Sequence, residues 1–151
     1  MKLLLVIDDS VYSQAAIRGV VAQYRSDGTE VRVLNVVNWP PSFPESLAFT
    51  PGVVSEGPIL ELHEETLRQG ERLVALAAEQ LRAAGFAATQ EAREGDPRNV
   101  ILERAADWGA DVIVLGAHGR RGVESFLLGS VSENVVRHAR CSVAVIPGVV
   151  V

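Results

Sequence analysis

The segment Gly116-Ala117-His118-Gly119-Arg120-Arg121-Gly122-Val123-Glu124-Ser125-Phe126-Leu127-Leu128-Gly129-Ser130 carries residue types that hold an anion. Glycines let backbone N–H groups approach a ligand closely and form an anion-binding nest. Gly129-Ser130 then opens a helix, whose unsatisfied N–H groups and positive dipole end favour phosphate. Ser130 and Ser132 offer hydroxyl donors, and Arg120 and Arg121 offer charge. A second unusual segment, Asp8-Asp9-Ser10, places two carboxylates at the end of an apolar run. No G-x-G-x-x-G follows that run, and there is no Walker motif. Lys2 is the only lysine, which removes phosphate-loop NTPase and pyridoxal Schiff-base chemistry.

The other chemically capable side chains are scattered. His118 lies in the glycine loop without a carboxylate at a spacing that marks a general base, so it reads as structural or solvent-facing. His63 and His138 fall on helices without clustered partners, so no protein-only metal site is expected. Cys141, the single cysteine, reads as a small buried hydrophobe at a strand start and cannot form an internal disulfide. That points to a reducing compartment, most simply the cytoplasm. Trp39 either covers a bound base or packs its own loop, and Trp108 reads as core.

Alternating apolar segments supply the elements that must position these residues. Residues 2–8 form a continuous apolar run ending in acid, as in a central strand buried on both faces. Ser10 is a candidate N-cap for a helix carrying Val11, Ala15, Ala16, Ile17, Val20, Val21 and Tyr24, with Asp27-Gly28 as its stop. Val31–Val37 is a second strand. From Asn38 to Pro58 lie Pro40, Pro41, Pro44, Pro51 and Pro58, a density that predicts no regular element. A long helix is expected from about Ile59 to Ala84, with Leu60, Leu67, Val74 and Leu81 on its core face, widened by Ala77 and Ala84, and a stop at Gly85. Phe86–Ala92 is a weak strand. Asp96-Pro97 pairs an N-cap acid with a first-turn proline, and Ile101, Ala105 and Trp108 mark the face buried behind it. Val112–Leu115, a helix from Gly129-Ser130 to about His138, and a strand Ser142–Ile146 complete the chain.

The order βαβαβαβαβ implies one parallel sheet with helices on both faces and right-handed crossovers. At 151 residues this is a single domain spanning 1–151, large enough to bury a core without disulfides or metal. A net charge of −5 argues against nucleic acid as partner, and no apolar run reaches the length of a membrane span. Ligands of such open sheets bind at strand carboxyl ends where strand order reverses. With strand 1 central, that point lies between strands 1 and 4, between Asp8-Asp9-Ser10 and Gly116–Ser130.

The spacing Gly116-x2-Gly119-x9-Gly129-Ser130 resembles the nucleotide-binding signature of the universal stress protein family. Asp8-Asp9-Ser10, Gly95-Asp96-Pro97, Ala110–Gly116 and Cys141–Ile146 resemble other landmarks of that family, so the likeness covers nearly the whole chain. The resemblance implies a Rossmann-like α/β sheet of strand order 3-2-1-4-5. It also implies membership of the ATP-binding branch, with Mg²⁺ or Mn²⁺ beside the triphosphate. Carried over residue by residue, Asp8 and Ser10 would lie at the ribose and phosphates, and Val36 would meet adenine through its backbone. Gly116, Gly119, Arg120, Gly122 and Gly129 would surround ribose and phosphates, with Ser130, Val131 and Ser132 on the phosphates. Asp9 departs from the glycine frequent in the family, and Ser142 from a common proline. The family also pairs its last strands, which implies a homodimer through Val143–Val151.

These features predict a nucleotide-dependent signalling protein read by an unidentified protein partner, with at most slow ATP hydrolysis. The main alternative is a dimeric scaffold that binds no nucleotide. A phospho-receiver would need a lysine at the end of strand 5, where Val145-Ile146-Pro147 stands. An adenylyl-transferring enzyme would need a Ser-Gly-Gly loop or a His-x-Gly-His pattern, and neither occurs.

Overall fold

The computed structural model describes residues 1–39, 56–119 and 127–148. Within them the chain runs β1 (Lys2–Val6), α1 (Val11–Gln23), β2 (Glu30–Val37), α2 (Glu56–Ala83) and β3 (Ala87–Glu94). It continues as α3 (Pro97–Trp108), β4 (Val112–Gly116), α4 (Ser130–His138) and β5 (Ser142–Ile146). The five strands form one parallel sheet in the order β3-β2-β1-β4-β5, as the sequence resemblance implied.

The apolar run of β1 is explained by its central position. Leu3 and Leu5 enter one core with Ala15, Ala16, Ile17 and Val20 of α1 and Val74, Ala77, Ala78 and Leu81 of α2. Leu4 enters the opposite core with Ile101 and Ala105 of α3 and Val135 of α4. Side chains of a strand alternate between faces, so only a strand covered on both sides is apolar throughout. Full burial of one such leucine contributes about 1.5–3 kcal/mol.

Helix ends follow local chemistry. Asp96 caps α3 by accepting from the Arg98 N–H at 3.0 Å, with Pro97 in the first turn. Gly109 ends α3 at φ 68°, a conformation that favours glycine. Several expectations need correction. Helix α2 begins at Glu56, inside the proline-rich stretch, because Pro58 falls in the first turn, where its missing N–H has no intrahelical acceptor to lose. Strand β1 stops at Val6 rather than residue 8, and β3 continues to Glu94. Leu60 is 57% exposed and Ala84 is exposed, so the buried stripe of α2 is Val74, Ala77, Ala78 and Leu81. At 28 residues α2 is roughly 42 Å long, whereas β3 spans roughly 26 Å, so its first turns overhang the strand carboxyl ends.

Trp108 packs against the second core as expected but is only half-buried. Arg32 lies over its ring with the guanidinium carbon 4.4 Å from the centroid, and Lys2 Nζ lies 5.6 Å from it. Cys141 is half-buried against the second core, and burial pushes its thiol above the ordinary value, away from thiolate reactivity. No helix among the described residues is long and apolar enough to cross a membrane.

Candidate nucleotide-binding cleft between β1 and β4

A crevice opens where β1 and β4 part. Their pairing ends at Leu5↔Val114, while β4 remains paired with β5 through Gly116↔Ile146. The chain beyond β1 therefore turns into α1 on one side, and the chain beyond β4 enters the glycine loop on the other.

Asp8 is locked at the rim of this crevice. Its Oδ1 accepts from the Ser10 N–H and from Ser13 Oγ, both at 2.9 Å. The Asp8 N–H donates in turn to Ser13 Oγ at 2.7 Å. Ser10 stands at the N-cap position but makes no side-chain cap, and the Asp8 carboxylate takes over the local turn. Ser10 Oγ is buried without a hydrogen-bond partner among the described residues. Asp8 Oδ2 faces Gly119, where a β-carbon would lie 3.1 Å away.

The glycines of the loop serve different ends. At Gly116 a β-carbon would fall 2.8 Å from Tyr12 Cβ, so α1 sits directly on this backbone. At Gly129 the nearest atoms to a β-carbon are 3.5 Å away, an ordinary contact, so the described protein does not itself require glycine there. The Gly129 N–H donates to Ala117 O at 2.9 Å, closing the loop on itself. Ser130 is exposed at the first turn of α4 and Val131 is half-buried against the second core. Ser132 is buried, and its hydroxyl donates to the Gly116 carbonyl at 2.8 Å rather than into the cleft. Arg120 and Gly122 lie outside the described residues, as do Val149–Val151 of the expected dimer segment.

Val36 sits where β2 outruns β1, whose last pair with it is Val6↔Leu34. Leu34 O accepts from the Ile7 N–H, and Val37 O accepts from the Gly95 N–H on the other side. Alternation then turns the Val36 N–H and C=O towards the crevice, beyond the end of β1. Beside it, Trp39 stacks on His63 with centroids 4.7 Å apart and planes 20° apart, and His63 Nε2 lies 3.1 Å from Glu94 Oε1. Among the described residues no three His, Cys, Asp or Glu side chains converge as a metal site.

Sequence reasoning missed Ser13 and Tyr12. Ser13 was findable, because a serine three residues after a helix-opening Ser10 reaches back to the strand end. A profile of the universal stress protein family matches residues 1–147. The chain belongs to the universal stress protein family. Relatives include universal stress protein Sll1388 of Synechocystis, 26% identical over 96% of each chain. Universal stress protein MJ0531 of Methanocaldococcus jannaschii is 30% identical over 96% of this chain and 81% of its own. The universal stress protein UspA of Lactobacillus plantarum superposes with a TM-score of 0.79 at 25% identity, covering 97% of both chains. Two more distant universal stress proteins share the fold. One is from Arabidopsis thaliana with AMP bound, TM-score 0.66 at 19% identity, covering 97% of this chain and 91% of its own. The other is in complex with cAMP, TM-score 0.59 at 22% identity, covering 98% and 97%.

Proposed function

We propose that this universal stress protein binds ATP in the β1–β4 crevice and acts as a nucleotide-dependent signalling protein. The observation that carries the reading is the Asp8 carboxylate. One of its oxygens is held by Ser10 and Ser13, and the other is turned to the Gly119 side of the crevice. A side chain fixed this way loses little entropy when it meets a ligand. Asp8 Oδ2 suits a ribose hydroxyl, or a divalent cation such as Mg²⁺ or Mn²⁺, which would offset the charge of the phosphates. Ser10 Oγ, without a partner among the described residues, offers a further polar contact. The Val36 backbone presents a donor and an acceptor to the edge of a purine. The N–H groups at the start of α4, with Ser130, suit the phosphates.

The site holds rather than transforms. His118 packs edge-to-face on Tyr12, and phosphoryl transfer needs a positioned charge and an oriented nucleophile. The proposed reading includes at most slow ATP hydrolysis. We further propose a homodimer across the β5 edge, which pairs with no further strand among the described residues and where Val143 and Val145 are only partly buried.

Thermal unfolding with and without Mg-ATP tests the reading. At 100 times Kd a ligand adds about 2.7 kcal/mol, roughly a 5–10 °C rise for a domain of this size. Gly129→Asn keeps a preferred N-cap residue while filling the cradle, so it should retain the unliganded Tm and lose the rise. A wild-type protein with no shift and no nucleotide released on heat extraction would leave the non-binding dimeric scaffold.

A further inference from the structure

Tyr12, in the first turn of α1, is where three segments around the cleft meet. Its Cβ and carbonyl crowd Gly116, where a β-carbon would fall 2.8 Å and 3.1 Å from them. Its ring meets His118 edge-to-face, with centroids 5.1 Å apart and planes at 64°. The same ring lies against Gly148, two residues beyond β5. A β-carbon there would fall 2.5 Å from Tyr12 Cε1 and 2.6 Å from Cδ1. Carbon atoms do not pack that closely, so a side chain at 148 must displace either the ring or the backbone that carries it. His118 is joined to Gly119, which faces Asp8 Oδ2, and to Ala117, whose carbonyl accepts the Gly129 N–H. One aromatic ring thus stands between the chain leaving β5 and both flanks of the glycine cradle.

We propose that Tyr12 is a positioning residue that couples the backbone after β5 to the nucleoside triphosphate site through His118. The coupling rests on the nucleotide reading above. Displacement at Gly148 weakens nucleotide binding by moving His118 and Gly119. By thermodynamic reciprocity, nucleotide binding shifts the backbone at Pro147-Gly148 and so reaches the β5 edge.

The test combines Gly148→Ala, Tyr12→Ala and the double variant, with Tyr12→Phe as the ring-retaining control. Two quantities are read. One is the His118 imidazole NMR signal, assigned by its loss in His118→Gln. The other is the Kd for Mg-ATP by calorimetry. Gly148→Ala is expected to move the His118 signal and raise Kd about tenfold, a change of about 1.4 kcal/mol. In the Tyr12→Ala background the same substitution should do neither, and Tyr12→Phe should keep the wild-type Kd. If Gly148→Ala does not fold, Tyr12→Ala alone must move the His118 signal and raise Kd. An unmoved His118 signal in folded variants overturns the coupling whether or not nucleotide binds. A moved signal with unchanged Kd overturns the positioning role. Wild-type protein that binds no nucleotide overturns the nucleotide reading and, with it, the role at that site, while the NMR result still decides whether the ring links Gly148 to His118.

Discussion

The Asp8 carboxylate commits one oxygen to the protein and leaves the other at the cleft, and Ser13 makes that division possible. Ser13→Ala removes both the donor to Asp8 Oδ1 and the acceptor of the Asp8 N–H. Losing these partners at a buried position should cost about 1–3 kcal/mol in urea unfolding and should also weaken the proposed Mg-ATP binding. Glu91 shows a purely structural use of charge. Burial raises its carboxyl, but bidentate hydrogen bonds from Arg104 at 2.9 Å and 3.1 Å, with the charges of Arg104, Arg93 and Arg32, outweigh it and hold the pKa below its ordinary value. A depressed carboxyl contributes stability that is present above its unfolded-state value and is lost as pH falls through the folded-state value. Glu91→Gln should therefore destabilise by about 1 kcal/mol at pH 7, since the pair is partly solvated. The difference from wild type should begin to shrink as pH falls below the ordinary carboxyl value of 4.5 and disappear below the lower folded-state value, which chemical denaturation across the pH range would show.

At the scale of elements, α2 packs where a side chain is missing. Gly70 lets the helix lie on β2, for a β-carbon would fall 2.7 Å from Asn35 Oδ1 and 3.1 Å from Val37 Cγ2. Asn35 cannot easily yield, because its Nδ2 donates to Ile7 O at 2.9 Å just before Asp8. Gly→Ala in an exposed helix interior stabilises by roughly 1 kcal/mol. Gly70→Ala should instead destabilise by about 1–3 kcal/mol through overpacking, and a higher Tm would refute this account. The β3 edge is guarded by Arg82, which donates to Ala88 O at 3.0 Å and to Gln90 Oε1 at 3.0 Å, blunting further strand addition.

At the scale of the molecule, the two sheet edges differ. β3 carries charge and a guanidinium cap, whereas β5 reads Ser142-Val143-Ala144-Val145-Ile146. Ile146 O accepts from the Ala117 N–H on the β4 side, so alternation turns the Val143 N–H outward. Val143→Pro removes an outward donor without breaking the ladder to β4. The proposed dimer should then dissociate in sedimentation at micromolar concentration while the variant stays folded. A wild-type protein that sediments as a monomer in that range would refute the β5 interface.

By itself the sequence determined what depends on neighbouring residues. The apolar run of β1 marked a strand covered on both faces, Asp96-Pro97 marked the start of α3, and Gly129-Ser130 marked the start of α4. These signals were legible because alternation and capping act over a few residues. Proximity in space was not legible. Pro58 read as a breaker because only the position of the first turn of α2 makes it harmless. Periodicity placed Trp108 on the core but did not reveal that Arg32 and Lys2 meet its ring. Gly148 gave no sign of its contact with Tyr12, since that partner lies at the other end of the chain. The tertiary structure decided those contacts because close packing joins residues by shape and distance, whatever their separation in sequence.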